Sequence, residues 1–315
     1  MDSDSRLCNH PGCDTYDSRS LYDGLVAHGL IIPSGEPGVF GRNAVFEDVL
    51  ERFAALVGRT AAADGAEKFT FPPTLARPVF ERSGYMKSFP QLAMGVVSFC
   101  GCSPTEHARL NERIAAGQAY DDLLQPTGVV LMPAACYPVY PSLGGRLPAG
   151  GRLVDMTHWV FRHEPSDEPT RMQAFRVREF VRAGAPADVV AWRDTWLQRG
   201  LDLLRTLGLP AEAEVASDPF FGGAGRMLAA NQREQKLKFE VVVPVISAES
   251  PTALCSFNYH QDYFSKSLDI LQADGEPAHT ACLGFGLERV AMALFRHHGF
   301  DPAQWPGAVR ARLWT

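Results

Sequence analysis

The sequence predicts an α+β fold, a mainly antiparallel sheet flanked by helices, and three observations predict it. Apolar runs of strand length succeed one another at 129–133, 152–156, the stretch carrying Arg162, 237–246 and 253–257. Helical periodicity is confined to a few segments, chiefly 45–57, 187–207 and 286–298, too few for the strand–helix alternation of a parallel doubly wound sheet. No internal repeat, low-complexity tract or long linker divides the 315 residues, so one core is expected.

The elements follow in order. Residues 1–20 are polar and turn-rich and read as a flexible tail, with a single catalytic-type domain over 21–315. In 45–57, Phe46, Val49, Leu50, Phe53 and Leu56 or Val57 fall on one helical face and form a core stripe. Lys68 to Phe71 reads as a strand stopped by Pro72 and Pro73. The 152–156 strand leads through a turn to the strand carrying Arg162. The 187–207 helix, ended by Gly208 and Pro210, opens an insertion that runs to about 235.

Charge and cysteine usage exclude several classes. A net charge of −6 disfavours extended contact with a nucleic-acid backbone. No run approaches the ~20 apolar residues of a membrane helix, and an acidic start is unlike a signal peptide, so a cytoplasmic protein without a membrane partner is expected. Seven scattered cysteines argue for burial or metal ligation over a disulfide framework. Cys8 and Cys13 have ligand-like spacing but no second pair, and Cys100, Cys102 and Cys255 read as inert buried thiols.

The chemistry-bearing residues lie in three stretches. His158 to Glu164 is followed after a short loop by Phe175 to Glu179, and Gly284 to Arg289 lies near the C-terminus. Arg162 and Glu164, alternating on a strand, would face one way, the first toward a phosphate and the second toward an adenine amino group. Phe175 offers a ring to the base, Arg171 is counted with the ATP contacts, and Arg289 would hold a second phosphate where Gly284 and Gly286 admit a close backbone. Neither glycine-loop nucleotide motif is present.

These residues resemble the class II aminoacyl-tRNA synthetase catalytic domain, seryl type, over about residues 40–300. Phe175 and Glu179 look like the end of its second signature, Gly284 to Arg289 like its third, and Cys255-Ser256-Phe257-Asn258 like the strand whose serine and asparagine hold substrate and metal. The resemblance implies ATP, Mg²⁺ and a homodimer, for which the 45–57 helix and the strand and prolines after it are the expected unit. Which carboxylate meets Mg²⁺ stays open among Glu240, Glu249 and the environment of Thr252. Cys136, Glu179 and Cys282 match the zinc ligands of the methanogen-type seryl enzymes. By that resemblance they would hold Zn²⁺ and, through its open fourth position, the amine of the substrate.

No tRNA-binding domain precedes the motifs, which makes the chain similar to the bacterial amino acid:carrier-protein ligases. The resemblance then implies activation of a small amino acid, glycine or alanine, and transfer to a phosphopantetheinylated carrier protein. Two rivals stand beside it: a tRNA-charging synthetase subunit and an inactive synthetase-like regulator. An acidic carrier would dock on arginines, either Arg193, Arg199 and Arg205 of the long helix, preferred, or Arg226, Arg233, Lys236 and Lys238.

Overall fold

A computed structural model describes residues 17–315. The Cys8 and Cys13 pair and residues 1–16 of the expected tail fall outside them. Residues 18–20 already belong to a helix, Ser18–Ala27, whose N-terminal N–H groups donate to the Asp17 carboxylate.

The centre is a seven-stranded sheet. Its strands in chain order are β1 (Glu67–Lys68), β2 (Arg152–Phe161), β3 (Ala174–Gly184), β4 (Glu212–Val215), β5 (Lys238–Val243), β6 (Thr252–Gln261) and β7 (His279–Gly286). In space they run β4-β5-β6-β7-β3-β2-β1, antiparallel throughout except for the short β1–β2 pair at one edge. The mainly antiparallel sheet expected from the sequence is thereby recovered, with one change. The 152–161 segment is a single strand of ten residues, not two strands joined by a turn, because its whole length pairs in register with β3.

Period-two alternation assigns the two faces of the sheet. Phe180, Phe257, Leu283 and Phe285 turn toward one core, where they meet the helices α1 (Ala44–Thr60), α2 (Pro186–Thr206) and α4 (Leu287–His298). α1 starts where the Asn43 side chain accepts the Phe46 N–H, and it buries Phe46, Val49, Leu50, Phe53, Leu56 and Val57, the stripe read from the sequence. α2 lies close on the sheet because residue 200 is glycine: a Cβ there would meet the Phe257 ring at 2.6 Å. The segment expected as an insertion around 187–235 is therefore divided. α2 is part of the core, β4 extends the sheet, and only α3 (Gly222–Glu234) stands out from it.

Val154, Met156, Val181 and Cys282 turn the other way, toward a second core with Cys136, Tyr140 and Phe264. A three-stranded sheet (Thr74–Ala76, Gly95–Phe99 and Leu124–Leu131), which the sequence reading only touched at 129–133, walls this side. It carries its own small core of Leu75, Phe80, Tyr85, Leu92, Val130 and Met132. Cys100 and Cys102, expected to be buried, are exposed at the end of that sheet, and Cys255 is buried as expected.

Candidate active site

The site is built from two rungs of the sheet. Across the first, Glu179 of β3 pairs with Gly284 of β7, Gly284 with Ser256 of β6, and Ser256 with Glu240 of β5. Across the next, Val181, Cys282, Asn258 and Lys238 stand in line. Residues two apart on a strand share a face, so Glu179, Cys282, Ser256, Asn258, Lys238 and Glu240 all look toward the second core. Gly284 is required by that face: a Cβ would strike Val177 Cγ1 at 2.8 Å and lie 3.6 Å from a Glu179 carboxylate oxygen. The glycine makes room for side chains of the protein itself.

Cys136 reaches the same place from the loop after the three-stranded sheet. Its thiol, the Cys282 thiol and a Glu179 oxygen lie within 4.8 Å of one another, all buried. Two thiolate ligands at about 2.3 Å in a tetrahedron stand roughly 3.8 Å apart, so the donor set fits a zinc ion and leaves one position for a fourth ligand. The electrostatics agree. Burial pushes the Glu179 carboxyl up to about 7 despite hydrogen bonds from both thiols. The Cys282 thiol is pushed well up by its contact with Cys136 and by burial. A divalent cation is what would relieve three crowded acidic groups. Around them, Asn258 Nδ2 lies 3.6 Å from Cys282 Sγ and 3.3 Å from Ser256 Oγ. His260 Nε2 stands 3.7 Å from the same sulfur, and its Nδ1 faces Thr280 Oγ1 at 3.2 Å and Tyr140 Oη at 3.4 Å. Burial pushes this imidazole down to about 4, so it is neutral.

The arginines lie beside this pocket. β2 ends at Phe161, one residue short of Arg162. Arg162 and Glu164 therefore do not alternate on a strand: the Glu164 N–H donates to the Arg162 carbonyl at 2.8 Å in a tight three-residue turn. Arg162 Nε donates to Pro133 O at 3.2 Å, which leaves both terminal nitrogens without a protein partner among the described residues, and its guanidinium lies 5.7 Å from the centre of the Phe175 ring. Arg171 is exposed in the intervening loop, 3.5 Å from Glu164 and 3.3 Å from Glu168.

Gly286 precedes the first residue of α4, and Glu288, fully buried, locks the start of that helix to β3 by accepting from Arg176 N at 2.7 Å and Nε at 2.9 Å. Arg289, the next residue, donates from Nε to Thr170 O at 2.8 Å and from Nη1 to Ala253 O at 3.2 Å. Burial and then the positive charge of Arg162 push its guanidinium down. Two neighbouring cations that destabilise each other can be relieved by a polyanion.

The structure adds residues that motif reading did not single out for the site. Asp218 accepts from Lys238 Nζ and Gln232 Nε2, at 2.7 and 2.8 Å, and ties the foot of α3 to the sheet. Lys238, taken from sequence as one of a basic cluster, is 7% exposed, with Glu240 as its second partner at 2.9 Å. Tyr85, Tyr137 and Tyr140 supply the aromatic wall. No motif marks them, since Tyr85 comes from one segment and Tyr137 and Tyr140 from another about fifty residues on. The arginine row of α2 is not a free surface. Arg193 is 6% exposed, bonded to Asp194 and the Lys236 carbonyl, Arg199 is paired with Asp64, and Arg205 is bonded to the Ala211 carbonyl.

Known proteins share this architecture. The chain is 46% identical over 290 residues, 91% of its own length, to amino acid–acyl-carrier-protein ligase 2 of Bradyrhizobium diazoefficiens, of which it covers 86%. The chain belongs to the amino acid–acyl-carrier-protein ligase family. This ligase is also 30% identical over 220 residues to the type-2 serine–tRNA ligase of Methanopyrus kandleri, matching 65% of its own length and 41% of that protein. In structure it resembles the seryl-tRNA synthetase of the same organism in complex with A. aeolicus tRNASec, with a TM-score of 0.78 and 20% identity over 93% of this chain and 59% of that one. No family model matches the ligase sequence. Among the described residues no helix is long and apolar enough to cross a membrane.

Proposed function

We propose that this ligase activates a small amino acid, glycine or alanine, as an aminoacyl-adenylate on ATP and passes it to the phosphopantetheine thiol of a carrier protein. One observation carries the reading. The charge of Arg162 acts both on Glu179 of the Cys136, Glu179 and Cys282 donor set and on Arg289, so a candidate amine site and a candidate polyphosphate site adjoin.

A zinc ion on the three donors supplies a Lewis-acidic position that takes an unprotonated amine. The chain does the rest by placement and charge. The amino-acid carboxylate forms a bond to the α-phosphorus of ATP as the bond to pyrophosphate breaks, and Arg162, through its two uncommitted nitrogens, neutralises the charge that builds there. Arg289 holds the γ-phosphate, Phe175 and Glu164 take the adenine, Arg171 closes over the phosphates, and Gly286 keeps the ligand's approach open at the start of α4. Mg²⁺ would sit with the leaving pyrophosphate, near Glu240 and Ser256. In the second step the carrier thiol attacks the acyl carbon, the bond to AMP breaks, and the thiol proton passes to the departing phosphate. Side-chain size is limited by Tyr137, Tyr140, Phe264 and the Lys238–Asp218 pair, which supports a small substrate.

The carrier is proposed to dock on α3. With the α2 arginines engaged inside the chain, α3 and the residue that precedes it offer Phe221, Met227 and Leu228, at 60%, 76% and 49% exposure, beside Arg226 and Arg233. An apolar patch rimmed by cations suits an acidic carrier protein. The enzyme would work as a homodimer in the cytoplasm, without tRNA.

The test is acceptor-dependent transfer. Zinc-loaded protein is given ATP, labelled glycine or alanine, and either a phosphopantetheinylated carrier protein or total tRNA. Thiol-labile label on the carrier is expected; label on tRNA instead would overturn the reading in favour of a synthetase, and no amino-acid-dependent pyrophosphate exchange would make the protein a regulator.

A further inference from the structure

Tyr85 is 4% exposed, and its hydroxyl has no hydrogen-bond partner among the described residues. Its ring is held from three sides, by Phe80 at 5.6 Å, Phe89 at 5.1 Å and Tyr137 at 5.8 Å between centres. The Tyr85 N–H donates to Ser83 Oγ, and the carbonyl of Ser83 accepts from Tyr263 Oη at 3.2 Å. This is a fixed ring with an unanswered O–H, an arrangement that costs stability when nothing else fills it.

The surroundings point to what fills it. The segment 83–92 is laced between the two charged loops of the pocket: the His163 N–H donates to Leu92 O, the Phe221 N–H donates to Ser88 O, and Gln91 Nε2 donates to Pro219 O. The charges that act on the hydroxyl are accordingly Arg162, Glu164 and Asp218. Burial pushes the phenol up, and Arg162 draws it only partly back, so it stays an O–H donor at neutral pH. On its other side Tyr85 packs on Tyr137, the neighbour of Cys136. The hydroxyl thus lies within electrostatic reach of the arginine assigned to phosphate, on a ring that packs against the neighbour of Cys136, and an activated amino acid spanning those two sites would bring its acyl carbon close to it. A ligand group that answers this O–H beside the Arg162 cation would be an acceptor.

We propose that Tyr85 is a substrate-binding residue whose hydroxyl donates a hydrogen bond to the carbonyl oxygen of the aminoacyl-adenylate. The inference rests on the adenylating reading above and adds a contact to it. The same bond would strengthen when the carrier thiol adds to that carbonyl and charge gathers on its oxygen.

Tyr85→Phe tests it, since the ring and its packing are kept and only the unpaired hydroxyl is removed. The melting temperature of the ligand-free variant should equal or exceed that of the wild type. By calorimetry the non-hydrolysable glycyl- and alanyl-sulfamoyl adenosines should bind about tenfold more weakly to the variant, whereas ATP alone binds both alike. Equal affinity of variant and wild type for the sulfamoyl compounds overturns the Tyr85 contact alone. An equal loss for ATP alone also overturns it, as the hydroxyl would then serve the nucleotide. If the wild type itself ignores the sulfamoyl compounds, the adenylating reading falls and takes this contact with it.

Discussion

Cys282 and Glu179 sit one rung apart on adjacent strands, Cys282 opposite Val181 and Gly284 opposite Glu179, so a thiol and a carboxyl 103 residues apart in sequence face the same pocket. Cys136 closes the set from above the sheet.

Replacing a member of this set should release the metal. Cys282→Ser and Cys136→Ser are expected to reduce bound zinc, measured by plasma mass spectrometry, from about one per chain to near zero. Amino-acid-dependent pyrophosphate exchange should fall by more than the roughly 10–100-fold typical of losing an outer partner of a ligand. Full zinc retention in either serine variant would remove that cysteine from the ligand set.

Gly284→Ala places a methyl group 2.8 Å from Val177 Cγ1, in the wall behind Glu179. A destabilisation of about 1–3 kcal/mol is expected from overpacking, with weaker zinc binding. Adding Val177→Ala should restore both, since it removes the struck methyl. Urea unfolding and zinc titration of the single and double variants check this.

Arg162→Ala should lower the rate of pyrophosphate exchange by about 10²–10³-fold, the usual effect of losing one transition-state donor. Arg162→Lys should recover little of it, because an ammonium cannot present two parallel donors to a phosphate. Recovery of most of the rate by lysine would show that only point charge is needed.

The Lys238–Asp218 pair gives a signed pH dependence. Burial raises the Asp218 carboxyl, but Lys238 and Gln232 outweigh it and hold it below the ordinary range. Burial lowers the Lys238 ammonium, but Asp218 and Glu240 outweigh that and hold it above its ordinary range. Stability from Asp218 is therefore complete above about pH 4 and lost as pH falls through the lowered value, while that from Lys238 is lost only above about pH 10.5. Asp218→Asn should cost about 1–3 kcal/mol at pH 7 and flatten the acid limb of the melting profile. An acid limb of unchanged depth in the variant would assign it to other carboxyls.

Arg226→Glu with Met227→Asp should slow transfer to the carrier, raising its KM about tenfold, and leave pyrophosphate exchange untouched. Equal loss in both assays would place these residues in folding instead of docking.

The motif arginines and the cluster of Cys136, Glu179 and Cys282 were legible in the sequence because the chemistry demands particular residue types, arginine for phosphate and thiolates for a metal, in an order that resembles a known family. The helices α1, α2 and α4 were legible because an apolar stripe of period 3.6 is written locally. Arg162 was assigned to a strand that ends one residue before it, since pairing with β3, not propensity, sets where β2 stops. The α2 arginines looked free because a charge in sequence carries no sign of its partners; Asp64, Lys236 and Ala211 reach them only in the folded chain.

By itself, the sequence determined the fold class, the periodic elements and the residue types that can bind a polyanion and a metal, all of which depend on local pattern or side-chain chemistry. Tertiary structure alone decided which of those residues meet. Antiparallel register puts Glu179, Cys282, Ser256, Asn258 and Lys238 on one face, and buries Asp218 against Lys238. Segments distant in sequence pack around Tyr85 and leave its hydroxyl buried without a partner among the described residues. Register and burial are properties of the whole sheet, set by packing between segments that no local window contains.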